Sequence, residues 1–185
     1  MDIFTAFGLS ASAGLNAYIP LLVISLVARF TNWIDLRAPW DTLESWWVIG
    51  ILVILSLVEF FADKIPAVNH INDIIQTFIR PVAGAVVFAA SSKVASLHPV
   101  FAMAAGLLIA GGVHTAKAVA VRPAVTATTG GVGNIPVSIM EDVVSTLLSI
   151  LAIIIPVFVA AIVIMLVSLF IWWIWRRANR QQLVQ

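Results

Sequence analysis

Apolar residues run along this chain in long blocks rather than in alternation: Ile3–Phe30, Trp46–Ala62, Ile74–Leu97, Val100–Val121 and Val143–Trp175. A helix needs roughly 20 mostly apolar residues to cross a bilayer, and these blocks are of that order. Continuous apolarity argues against a membrane β-barrel, whose strands alternate over about ten residues. The last block is too long for one straight span and contains Pro156, which removes a backbone hydrogen bond. It reads as a kinked helix with an interfacial or re-entrant first part, or as two spans. The pattern predicts an all-α, polytopic transmembrane helical bundle of five or six spans, with Pro/Gly-broken helices, in a single membrane domain over residues 1–185.

Between the blocks, residues 31–45, TNWIDLRAPWDTLES, form a polar connection. Trp33, Trp40, Trp46 and Trp47 fit one interfacial belt; Trp172, Trp173 and Trp175, followed by Arg176, Arg177 and Arg180, fit another. Positive-inside reasoning puts the C-terminus in the cytoplasm. On a five-span count the loops near Arg29/Arg37 and Lys93 lie on that side too, with Lys64 and Arg122 opposite. The start, Met-Asp-Ile-Phe, lacks the positive region of a secretory signal.

The chain echoes itself. KIPAVNHINDIIQTFIRP (64–81) resembles NIPVSIMEDVVSTLLSI (134–150): each has Ile-Pro, an Asp six or seven residues later, and polar groups at matching offsets. These are Asp73, Gln76, Thr77 and Arg80 in one copy and Asp142, Ser145, Thr146 and Ser149 in the other, on one helix face. Each Asp is expected to cap a helix N-terminus. Upstream, GLSASAGLN (8–16) aligns with GLLIAGGVH (106–114), matching Gly8, Ser12 and Asn16 with Gly106, Ala110 and His114. Small residues at that spacing let helices approach closely. The implied repeat halves are 1–97 and 98–185. Duplicated, interrupted helices point to transporter folds with sites at the repeat interface. The five-span count gives opposite senses for the Gly-rich helices and equal senses for the Ile-Pro elements, so no single repeat symmetry satisfies both.

Composition agrees with a membrane chain: 62% hydrophobic, only 10% charged, no cysteine and a net charge of +1. The lack of cysteine excludes disulfides and thiolate chemistry, and the charge gives no case for nucleic acid. No cofactor is implied, and no metal-ligand spacing is evident among the three histidines. The rare polar groups therefore carry the functional question. Glu59 and Asp63 share a helix face at the end of the second block, where Lys117 or Arg122 from a neighbouring helix could offset them. His114 and Lys117 lie on one face of the fourth block, with Arg122 beyond. Intramembrane charges default to a functional reading, against the plainer one of interfacial or salt-bridged side chains. TATTGGVGN (126–134) is either a ligand-exposing backbone loop or a flexible turn, and Asn134 with Glu141 and Asp142 makes its exit oxygen-rich. No hydrolase, zincin, P-loop or dinucleotide motif is present.

The combination SAGLNAYIPLL (12–22), EFFADKIP (59–66), TFIRPVAGA (77–85), HTAKA (114–118) and GNIPVSIMED (133–142) resembles a small family of polytopic bacterial membrane proteins known as a domain of unknown function, DUF4126. The resemblance implies a bacterial cytoplasmic (inner) membrane protein and supplies no activity. Where an acidic residue is expected soon after the first Ile-Pro, this chain has Asn69-His70. The leading expectation is a small transporter or channel-like protein. Its pathway would be lined by Asn16, Glu59, Asp63, Asp73, His114, Lys117, Arg122, Asn134, Glu141 and Asp142. The expected partners are the lipid bilayer and an ion or small polar solute, with a homo-oligomer as an open assembly. The alternatives are a structural or assembly subunit and a membrane-embedded lipid-modifying enzyme.

Overall fold

The computed structural model describes residues 3–91 and 97–182, and among them eight α-helices and no strand. Lys93 lies outside the described residues, as do the side chains of Asn69 and His70. Among the described residues three helices are long and apolar enough to cross a membrane: Asn72–Ser91, Pro99–Thr129 and Asn134–Ile154. Ile3–Leu15, Tyr18–Phe30 and Trp46–Ala62 are shorter apolar helices.

The first apolar block is not one span. α1 (Ile3–Leu15) and α2 (Tyr18–Phe30) meet at Asn16–Ala17. There Asn16 Oδ1 accepts the backbone N–H groups of Tyr18 (3.1 Å) and Ile19 (3.0 Å), so the side chain starts the second helix. Arg29, near the far end of α2, donates to the Glu44 carbonyl (2.8 Å) and lies over the Trp46 ring. Trp40, from the same connection, packs against the cluster of Ala6, Phe88, Ala89 and Ala102 at the start of α1. The outer ends of α1 and α2 are therefore on the same side, and Asn16 is the tip of a hairpin.

A short 3₁₀ turn, Trp40–Glu44, leads to α3 (Trp46–Ala62), which Ser45 caps through its hydroxyl. α3 ends near the hairpin tip, and α4 (Pro66–Ser91) returns. α5 (Pro99–Ala116) passes through one π-helical turn, Lys117–Val121, into α6 (Arg122–Thr129). Pro123 lacks an N–H and would clash in a regular α-turn, which accounts for the wider turn before it. α7 (Asn134–Ile154) and α8 (Pro156–Gln182) follow. The last apolar block is thus two helices, broken where Ile155 leaves helical geometry (φ −133°, ψ 63°) ahead of Pro156.

Small residues weld the core. Ideal Cβ atoms added to Gly84 and Gly106 would collide with the facing backbone, so α4 and α5 touch main chain to main chain. α1 lies against this pair, with Ser10 Oγ donating to the Gly84 carbonyl (2.9 Å) and Gly14 against Ala110 and Val113. Its other face meets α7 and α8, with Gly8 against Ala152 and Val159. Ser12 bonds the hydroxyls of Ser145 (2.8 Å) and Ser149 (2.7 Å). These contacts make α1 and α5 parallel, and α4 and α7 antiparallel to both. The expected opposite senses of the two Gly-rich helices are corrected: the N-terminal block turns back at Asn16, so it adds no crossing before α3.

Asp73 and Asp142 are not caps either. The helices begin upstream, at Pro66 and Asn134, because proline in a first helical turn loses no intrahelical bond. Both aspartates consequently lie inside their helices. In each helix the threonine four residues on donates to the Asp carbonyl, Thr77 and Thr146 each at 2.8 Å. Outward faces carry large exposed apolar side chains, among them Ile54, Phe78, Leu108 and Leu147, as a lipid-facing surface requires.

Candidate functional site

The helices bring nearly all of the chain's interior charge to one layer at the hairpin tip. Arg80 is 0% exposed and Glu59 1%, the depth at which an ionic group must be paired. Arg80 donates to Glu59 Oε1 through both Nε (3.3 Å) and Nη2 (2.9 Å). Its Nη1 faces His114 Nδ1 at 3.2 Å. A guanidinium N–H can only donate, so His114 Nδ1 accepts and the ring is the neutral Nε2–H tautomer. That N–H points at Thr77 Oγ1 (3.2 Å), whose own proton goes to the Asp73 carbonyl.

Asp63 is the hub between layers. It accepts from Asn72 (2.7 Å) and Ser138 (3.2 Å), and lies 3.5 Å from Arg122 and 3.8 Å from Arg80. Arg122 also bonds Asp73 and approaches Glu141 (3.6 Å). Lys117 pairs with Glu141 at 2.6 Å and reaches the Leu15 carbonyl at 3.4 Å. Lys64 pairs with Asp142 (3.5 Å), which also accepts from Asn16 Nδ2 (3.0 Å) at the hairpin tip. The π-helical turn has a purpose in this geometry, because it lets His114, Lys117 and Arg122 all face the layer. Such turns recur at functional sites.

The layer floors a cavity of about 960 Å³. Asp63, Lys64, Asp73, Thr77, His114, Lys117 and Arg122 form its inner wall, and Thr126, Gly130, Gly131, Val132 and Asn134 its outer part. Gly130 and Gly131 have φ of 64° and 94°, which glycine tolerates where the chain must turn sharply from α6 to α7. Asn134 bonds Thr126 (3.0 Å) across this outer part, away from the charged layer. At the other face of the tip, a groove of about 410 Å³ between α2, α3 and α7 is lined by Asn16, Ile19, Ser56, Phe60 and Asp142 among others. Asp142 stands eight residues into α7, or about 12 Å along a helix of roughly 30 Å. The charged layer is thus well inside the bundle.

Of the ten residues expected to line a pathway, nine meet in this layer and Asn134 stands nearer the mouth. Sequence reasoning passed over Arg80 as a site residue, although it is the cation at the centre. Its signal was an arginine within the third apolar block, on the same helix face as Asp73, Gln76 and Thr77. Lys64, Asn72 and Ser138 were passed over as well. Among the described residues no group of three or more His, Asp or Glu is arranged to hold a metal ion.

No curated protein and no solved structure matches the chain. A family model described as a domain of unknown function, DUF4126, matches residues 3–176, and the chain belongs to that family.

Proposed function

We propose that this protein is a small membrane transporter or channel-like protein for an ion or small polar solute. The observation that carries the reading is the charged layer at the inner end of the cavity, where the tip of a half-depth hairpin meets it. Each interior charge costs roughly 2.5–3.5 kcal/mol on insertion scales, so such a concentration favours a functional role. The cavity is the entrance, the layer is the selective and gating element, and the Gly/Ala packing of α1, α4 and α5 is the seal beyond. Interrupted helices meeting at a midplane site are the recurring construction of transporters.

The helix senses support a parallel repeat, with α1 and α4 in one half and α5 and α7 in the other. Gly8 lies against α7 as its match Gly106 lies against α4, and Asn16 and His114 each bond a polar side chain of that same helix. Five full spans beside the hairpin, in the cytoplasmic membrane of a bacterium with the C-terminus inside, complete the reading.

A structural role has one observation in its favour: Lys64, Arg80, Lys117 and Arg122, the cations of the layer, are each paired with a carboxylate. Buried pairs can set helix register without adding stability. Flux in proteoliposomes decides. Purified protein should pass protons, alkali cations or small zwitterions under a gradient, and Asp63→Asn should reduce flux at least tenfold while the folded yield survives. A wild-type protein with no flux of any of these, beside a variant that fails to fold, leaves the structural role standing.

A further inference from the structure

We propose that Glu59 is a proton-binding site, holding one exchangeable proton on Oε2 in a hydrogen bond to Gln76 Oε1. Three independent features meet at this corner. The first is an unmatched pair of acceptors: Glu59 Oε2 and Gln76 Oε1 are both buried without a hydrogen-bond partner. A buried polar atom left unsatisfied keeps the cost of its lost hydration uncompensated. Gln76 precedes Arg80 by one turn of α4, Arg80 bonds Glu59, and Tyr18 hydrogen-bonds Gln76 within electrostatic reach of Glu59. A single O–H between the two oxygens satisfies both at once, since a protonated carboxyl donates and an amide oxygen accepts.

The second feature is how Arg80 binds. Its Nε–H and an Nη2–H both go to Oε1, leaving Oε2 with no donor. This is the arrangement of a carboxylic acid whose carbonyl oxygen is Oε1. The third is charge. Among the described residues the layer holds the carboxylates of Glu59, Asp63, Asp73, Glu141 and Asp142 against the cations Lys64, Arg80, Lys117 and Arg122, with His114 neutral. One added proton makes it neutral, which a low-dielectric interior favours.

The groups facing Glu59 are Arg80 from α4, Lys117 from the π turn, Tyr18 from α2 and Asp63 on its own helix. Asp63, one turn on, lines the cavity and so stands between Glu59 and water. The proton comes from cavity water, forms the O–H bond at Oε2, and returns to water on release. The binding claim does not rest on the transport reading, since it needs no flux to be tested.

Infrared difference spectra of the full-length protein in lipid, taken between acidic and alkaline buffer, test it. The expected result is a protonated-carboxyl C=O band that vanishes at alkaline pH, is absent in Glu59→Gln and is kept in Asp63→Asn. Gln76→Leu should keep the band but move it to higher frequency, because its hydrogen-bond acceptor is gone. Potentiometric titration should find one fewer exchangeable proton per chain in Glu59→Gln. That variant keeps the acceptor for Arg80 and puts an N–H where the proton sits, so it should fold. If it does not fold, the Gln76→Leu shift decides alone. A band that persists in Glu59→Gln, or is indifferent to Gln76→Leu, overturns the proposal. So does a Glu59 signal that answers to sodium at fixed pH, which would make the site a metal-cation site.

Discussion

Two regions of the bundle hold the same helices together by opposite means. At the seam, Gly84 and Gly106 bring α4 and α5 into backbone contact, with Ala6, Ala102 and Ala110 around them. One to two turns along the same helices, Arg80 and His114 meet across a layer of ion pairs. The seam is closed by shape, and close-packed shapes admit no intermediate arrangement. The layer is closed by hydrogen bonds, which can be exchanged for bonds to a solute, to water or to a proton. Substitutions in the two regions should therefore fail differently.

The largest effect is expected at the seam. Gly106→Val would place its Cβ against the Gly84 carbonyl and 2.6 Å from Phe88 Cβ, neither of which is a flexible side-chain end. Overpacking of this kind should cost about 3 kcal/mol or more, and the yield of monodisperse protein should collapse at any pH. A Gly106→Val variant that purifies and melts like wild type would show that α4 and α5 are not in backbone contact.

At the layer, Arg80→Met removes the donors to Glu59 Oε1 and His114 and a charge 3.8 Å from Asp63. Breaking a buried pair from one side costs about 3–5 kcal/mol because the partner stays buried. Chemical denaturation in mixed micelles should show the loss. The same substitution made in a Glu59→Gln background should cost measurably less, since the two residues are coupled. Equal losses in both backgrounds would mean that Arg80 acts through packing alone.

The sequence made the layer easier to read than the seam. Charged side chains are rare here, so Glu59, Asp63, Lys117 and Arg122 were conspicuous, and intramembrane charge has few innocent explanations. Arg80 escaped notice because it was read as part of a repeated stripe rather than as the ion pair's centre. The hairpin at Asn16 was hidden for a different reason. Apolarity reports burial in lipid or protein, not direction, so a block that doubles back at an asparagine looks like one that crosses. The caps assigned to Asp73 and Asp142 failed because Ile-Pro marked the helix start itself. The π turn was not legible from periodicity, although Pro123 was its visible cause. Small residues at helical spacing were legible as well: segments 8–16 and 106–114 both form close-approach faces, and their helices run parallel.

The smallest effect is the sharpest test of the seam. Gly112 lies in the same helix as Gly106, yet a Cβ there meets nothing within 4 Å. Helix propensity alone favours alanine over glycine by roughly 0.8–1.0 kcal/mol in a helix interior. Gly112→Ala should therefore be neutral or slightly stabilising in a thermal melt, while Gly106→Ala, with the same propensity gain, should be destabilising. Because propensity cancels between the two, their difference isolates the backbone contact of α4 with α5. If both alanines stabilise, the seam has room to give, and backbone contact does not limit how closely α4 and α5 approach.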